Sequence, residues 1–95
     1  MMNTDPRKNT LTNRYELNLD DKLAYLAYEE REGGVVAFTS TFVPPELRGK
    51  NVAAILTRFA LEDVRARGGK VAPVCSYAVA FLERNPEYAD LRAGS

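Results

Sequence analysis

The segment Val43 to Ala53, VPPELRGKNVA, gathers residue types suited to holding an anion. Pro44 and Pro45 end any strand before them, because proline lacks the N–H of a ladder. From Val52 the apolar residues recur as Val52, Ile55, Leu56, Phe59, Ala60 and Val64, the stripe of an amphipathic helix. A helix start leaves about four backbone N–H groups without partners and carries roughly half a positive charge, so phosphate groups settle there readily. Arg48 and Lys50 add charge, and Gly49 lets the backbone approach a ligand. Asn51 either caps the helix or takes the left-handed conformation. On these residues alone, an anion site and a capped helix start with two solvated basic side chains both stay open.

Cys75 is the second centre of chemistry, placed just before an apolar segment with helical character from Tyr77 to Arg84. A thiolate at a helix start is a nucleophile, whereas a buried thiol packs like a small apolar residue. Tyr77 and Tyr88 bring either a phenolic proton or an aromatic ring for packing. Glu46, Glu30 and Glu32 are either bases acting through water or solvated charges. The chain contains no histidine, which removes Ser–His–Asp and Cys–His catalysis and the usual zinc sets; no metal is expected. A single cysteine forms no intrachain disulfide and suits a reducing compartment. Thirteen basic residues balance thirteen acidic ones, so no global positive field draws in nucleic acid. The N-terminal residues lack the apolar core of a secretory signal, and no apolar run approaches membrane-spanning length. The expectation is a cytoplasmic monomer with no nucleic-acid or membrane partner.

These groups need elements to position them. With 95 residues, 45% of them hydrophobic, the chain builds one core and leaves a ligand only a surface cleft. Residues 1–12 show no periodicity and are expected to be a flexible tail, with a single domain over 13–92. Tyr15, Leu17 and Leu19 alternate with polar residues as a half-buried strand does. Lys22 to Glu29 and the β-branched run Val35 to Val43 supply two more strands, joined through the charged, glycine-bearing turn Glu30–Gly34. The stretch after the loop is helical until Gly68-Gly69, and Lys70 to Val74 reads as a short strand whose long connection permits parallel pairing with the third. Pro73 places that strand at an edge or leaving the sheet. The second helix, from Tyr77, stops at Asn85-Pro86. The fold class is α/β of the α+β type: a mostly antiparallel sheet of four to five strands, one long helix after the loop and a short C-terminal helix.

The run Val43 to Ala53 resembles the coenzyme A pyrophosphate loop of the GNAT acetyltransferase superfamily, in which Arg or Gln is followed by two variable residues, Gly, one variable residue, then Gly or Ala. Arg48 and Ala53 match, and Asn51 stands at the first motif glycine. Pro73-Val74-Cys75-Ser76-Tyr77, Phe81 and Asn85 to Leu91 are similar to the small, stand-alone branch of that superfamily. The resemblance implies acetyl-CoA as co-substrate, held by Phe42, Val43, Arg48, Gly49, Lys50, Asn51, Val52 and Ala53, and N-acetyl transfer to an unidentified amine. It further implies a β-bulge in the strand before the loop, Ser40 to Val43 beside the thioester, and a slot where the next strand splays away. Leu82 takes the place of the tyrosine that protonates the leaving thiolate in larger members, and Ser40 the place of a histidine typical of the small branch. Cys75 and Tyr77 are therefore the catalytic candidates. A non-catalytic coenzyme A sensor or protein-interaction module on the same fold is the alternative.

Overall fold

The computed structural model describes residues 5–94. Strand β2 (Arg14–Leu19) turns into β3 (Lys22–Arg31) through Asp20 and Asp21, both at positive φ, 52° and 60°. That is the two-residue turn whose twist matches antiparallel strands, and aspartate tolerates it through local hydrogen bonding. A short turn at Glu32–Gly34 leads into β4 (Val35–Phe42), completing the expected meander. Strand β5 (Lys70–Pro73) pairs with β4 in parallel, so the five-stranded sheet runs β1-β2-β3-β4-β5. Its first strand, β1 (Arg7–Asn9), lies inside the stretch expected to be a tail and pairs antiparallel with β2. Three residues are too few to show a period, and the contact that fixes them, Lys8 Nζ to Asp63 Oδ2 at 3.1 Å, spans most of the chain. The rest of that expectation, residues 1–4, lies outside the described residues.

Helix α1 (Val52–Ala66) buries Val52, Leu56, Thr57, Ala60, Leu61 and Val64 against the sheet face formed by Tyr15, Leu17, Leu26, Val36 and Phe38. Helix α2 (Ser76–Arg84) adds Ala78, Phe81 and Leu82 to the same core, and the Arg58 guanidinium of α1 lies 5.2 Å from the Phe81 ring. Both helices thus occupy one face. The other face carries Arg14 and Glu16 of β2, Tyr25 and Ala27 of β3, and Ser40 and Phe42 of post-bulge β4. A final turn, Pro86–Leu91, packs Tyr88 and Leu91 into the core, and Ala93 N–H donates to the Val71 carbonyl at 2.8 Å. Where α1 passes into β5 the backbone comes very close to the β3–β4 turn. A Cβ on Gly69 would stand 2.6 Å from the Gly34 carbonyl oxygen, so only glycine fits there. Among the described residues no helix is long and apolar enough to cross a membrane.

Tyr15 joins the strands to the helix. Its fully buried ring packs at 5.0 Å from Tyr28, 6.2 Å from Phe38 and 6.0 Å from Phe59, while its hydroxyl donates to Asp63 Oδ2 at 2.8 Å. Burial, then the adjacent Asp63 carboxylate, pushes the phenol far above its ordinary value. Burial works against ionised Asp63, but hydrogen bonds from Tyr15 and Lys8 outweigh it and hold the carboxyl below its usual range. Tyr15→Phe should cost about 1–2 kcal/mol in urea unfolding, the range for a lost bond to a charged acceptor. The raised phenol also sets a sign. Its contribution is complete below the unfolded-state value near 10 and is lost as pH rises above it, because the unfolded chain releases a proton that folded Tyr15 keeps. Stability measured between pH 9 and 11 should therefore fall less steeply in Tyr15→Phe than in the parent.

Candidate functional site

Strands β4 and β5 pair from Val35↔Lys70 to Phe38↔Pro73 and then part. The Phe38 carbonyl accepts the regular ladder bond from the Val74 amide and a second one from the Cys75 amide, both at 3.1 Å, while Pro73 has its missing N–H on the outer side of β5. On its other side β4 changes register at the same level: Tyr28 faces Phe38, but Ala27 faces Ser40. Thr39 is the extra residue of this β-bulge, and its hydroxyl donates to the Ala27 carbonyl at 3.3 Å. Beyond the bulge, Ser40 to Phe42 remain paired with β3 and have no β5 partner. The splayed strand and bulge that the resemblance implied are both present.

The chain leaves β4 through Pro44 and a single 3-10 turn, Pro45–Leu47, which Leu47 anchors by full burial. Arg48 Nε donates to the Val43 carbonyl at 3.2 Å, curling the side chain back over the loop. Gly49 has φ 82° and Asn51 has φ 63°, ψ 22°. Of the two roles open to Asn51, the structure contains the left-handed one, with no side-chain cap. The first helical bond runs from Ile55 N–H to the Asn51 carbonyl, so the amides of Val52, Ala53 and Ala54 have no acceptor within the helix. A cleft of about 470 Å³ opens over them, closed on its far side by Tyr77.

Of the residues singled out in the sequence, Val43, Arg48, Gly49, Asn51, Val52, Ala53 and Tyr77 line this cleft. Phe42, Lys50 and Cys75 do not; the Phe42 ring lies on the opposite sheet face, 5.6 Å from Tyr25. Leu47 and Ala54 also line the cleft. Leu47 was legible only as a lone apolar residue in a charged loop. Half-buried Cys75 caps α2, its Sγ accepting from Ala78 N–H at 3.4 Å. Across the slot, Thr41 Oγ1 is 3.6 Å from that sulfur, a contact between strands that part and one no spacing rule reveals. Burial raises the Tyr77 phenol above its ordinary value, with Arg84 and Arg58 pulling weakly the other way, so it keeps its proton at neutral pH.

The remaining candidates lie elsewhere. Tyr88 is buried with its hydroxyl on Glu62 Oε2 at 3.0 Å. Glu46 faces Lys22 at 3.7 Å, Glu30 pairs with Arg67 at 2.8 Å, and Glu32 belongs to the β3–β4 turn. Leu82 is buried in the core and offers no hydroxyl. Among the described residues, no group of three or more Cys, Asp or Glu side chains is placed to hold a metal.

Comparison with known proteins agrees with this geometry. A family model described as GCN5-related N-acetyl-transferase matches residues 14–91. The NMR solution structure of a GCN5-like N-acetyltransferase candidate from Staphylococcus aureus is similar over 100% of this chain and 93% of its own, with a TM-score of 0.79 and 26% identity.

The left-handed Asn51 generates a direct prediction. Asn51→Gly should leave unfolding stability unchanged or slightly higher, whereas Asn51→Val should lower it by about 1–2 kcal/mol, the steric cost of that conformation for a branched residue. Paired chemical-denaturation curves measure the difference.

Proposed function

The chain belongs to the GCN5-related N-acetyltransferase family, and on that premise we propose that it binds acetyl-CoA in the cleft before α1 and transfers the acetyl group to a primary amine. The observation that carries the reading is the loop end itself. Left-handed Asn51 turns the chain so that the unbonded amides of Val52, Ala53 and Ala54 line a cleft of about 470 Å³, ample for a pyrophosphate, with Arg48 on its wall and Lys50 beside it. Those amides and Arg48 would hold the pyrophosphate. The free edge of β4 from Ser40 to Phe42 offers backbone groups to an extended amide arm in the manner of an added strand. Tyr77 closes the cleft and packs beside that arm.

Acetyl-CoA supplies an activated thioester, and what the protein adds is position and proton control. In direct transfer the neutral amine nitrogen forms a bond to the carbonyl carbon, the carbon–sulfur bond breaks, and the proton lost by nitrogen ends on the departing sulfur. Tyr77, protonated at neutral pH, is the donor suited to that sulfur, with water returning the amine proton to it. Cys75 opens a second route, in which Sγ takes the acetyl group before the amine does. Its place at the head of α2, against Thr41 on the other arm of the slot, supports that role.

Arg48→Ala should weaken coenzyme A binding by about 1–3 kcal/mol, the range for a lost charge-assisted contact, and the amides of 48–54 should shift first on titration. Unchanged affinity in a folded Arg48→Ala protein would count decisively against the loop. Free thiol should appear faster when amines are supplied, and faster still as pH rises and the amine deprotonates. Tight binding with no amine-dependent release across a broad panel would leave a coenzyme A sensor. On the covalent route, acetyl-CoA alone leaves a hydroxylamine-labile acetyl on Cys75, and Cys75→Ser loses both adduct and turnover. Full turnover by Cys75→Ala would leave direct attack as the mechanism.

A further inference from the structure

The cleft and both helices lie on one face of the sheet, so a thioester seated in the slot between β4 and β5 has its coenzyme on that side. On the acetyl-transfer reading, that leaves the other face to the attacking nitrogen. On that second face a continuous row of side chains leads away from the slot. The Phe42 ring, 44% exposed, lies 5.6 Å from that of Tyr25, its register partner on β3, at a tilt of 35°. Glu16, the register partner of Tyr25 on β2, is buried and accepts from Asn9 Nδ2 at 3.3 Å, while the Arg14 guanidinium lies 4.1 Å from the Tyr25 ring. Ala27 and Ser40 form the small-residue floor beside it, and Arg14, Ala27 and Ser40 are register partners on three adjacent strands. Arg14 therefore stands two strand spacings, about 10 Å, from Ser40 at the slot. Val74, 52% exposed, extends the apolar surface on the β5 arm.

Charge distinguishes Arg14 from its neighbours on this face. Arg7 has Glu16 at 4.0 Å and Arg31 has Glu29 at 2.9 Å, whereas among the described residues no carboxylate pairs with Arg14. A guanidinium flattened on an aromatic ring keeps its edge N–H groups for a planar bidentate acceptor. From this arrangement, and resting on the acetyl-transfer reading above, we infer that the acceptor is a primary amine on a flat, apolar body that ends in a carboxylate. The body lies along Phe42 and Tyr25, the carboxylate meets Arg14, and the amine reaches the slot beside Ser40. At the far end of the body Arg14 also repels a second cation.

Three amines of one shape test this with the full chain and acetyl-CoA: 4-(aminomethyl)benzoate, benzylamine and 4-(aminomethyl)benzylamine. The carboxylate should exceed benzylamine in kcat/KM by roughly fivefold to tenfold, as one partly exposed charge-assisted contact allows, and the diamine should be the poorest. Arg14→Gln should bring the ratio of carboxylate to benzylamine close to one, and Arg14→Lys, which keeps the charge, should retain most of it. Calorimetric titration with acetyl-CoA reads the underlying proposal separately. Absence of binding overturns both. Binding with equal rates for the three amines, with no turnover of any of them, or with a carboxylate preference that survives in Arg14→Gln, overturns the acceptor assignment alone.

Discussion

The carbonyl of Phe38 accepts from two amides, those of Val74 and Cys75, where an ordinary ladder would give it one neighbour and pass the next bond further along. The Val74 bond is the one this parallel register calls for; the Cys75 amide, which in a continued ladder would face away from β4, turns back to the same carbonyl, so β5 stops advancing along β4 there. The extra residue of the bulge, Thr39, falls at the same level on the other side of β4. One strand thus loses its partner on one flank just where it twists on the other. The slot, the exposed backbone edge of Ser40 to Phe42, and the meeting of Thr41 with Cys75 all follow from that coincidence.

A second constraint holds the opposite end. Tyr15, Lys8 and Asp63 tie β1 and β2 to the last turns of α1, and Arg67 extends the link to Glu30 on β3. With α1 fixed along its length, the orientation of its first turn is determined far from the loop. The amides there that lack an acceptor within the helix are aimed by packing at its other end, which is how a surface loop with several exposed residues keeps a defined geometry.

Much of this was legible in the chain. The alternation of Tyr15, Leu17 and Leu19, the β-branched run from Val35 and the helical stripe from Val52 each report a local period, and each element formed where its pattern lies. Pro73 carried its meaning in its missing donor. Asn51 was readable as a residue that tolerates positive φ, although only the structure decides between that role and a cap. What stayed hidden depends on partners distant in sequence. Strand β1 exists through Lys8 and Asp63, the bulge at Thr39 through its register against β3, and the Thr41–Cys75 contact through two strands that separate. The loop alone did not distinguish a ligand site from a capped helix, because both use the same residue types; the family showed in the whole chain, and its model matches residues 14–91.

Gly69 gives this arrangement a mechanical character. Its backbone touches the Gly34 carbonyl at the closed end of the β4–β5 pair, only a few residues before the pair opens at Phe38. Two strands clamped at one end and free at the other form a lever whose fulcrum is that glycine contact and whose short arm is the paired stretch, about 13 Å long. A side chain at 69 would force the clamp apart by a few tenths of an ångström or more, and rigid strands would carry the displacement to the jaws as an angle. The width of the slot is thus gauged by a residue at the opposite end of the strand pair.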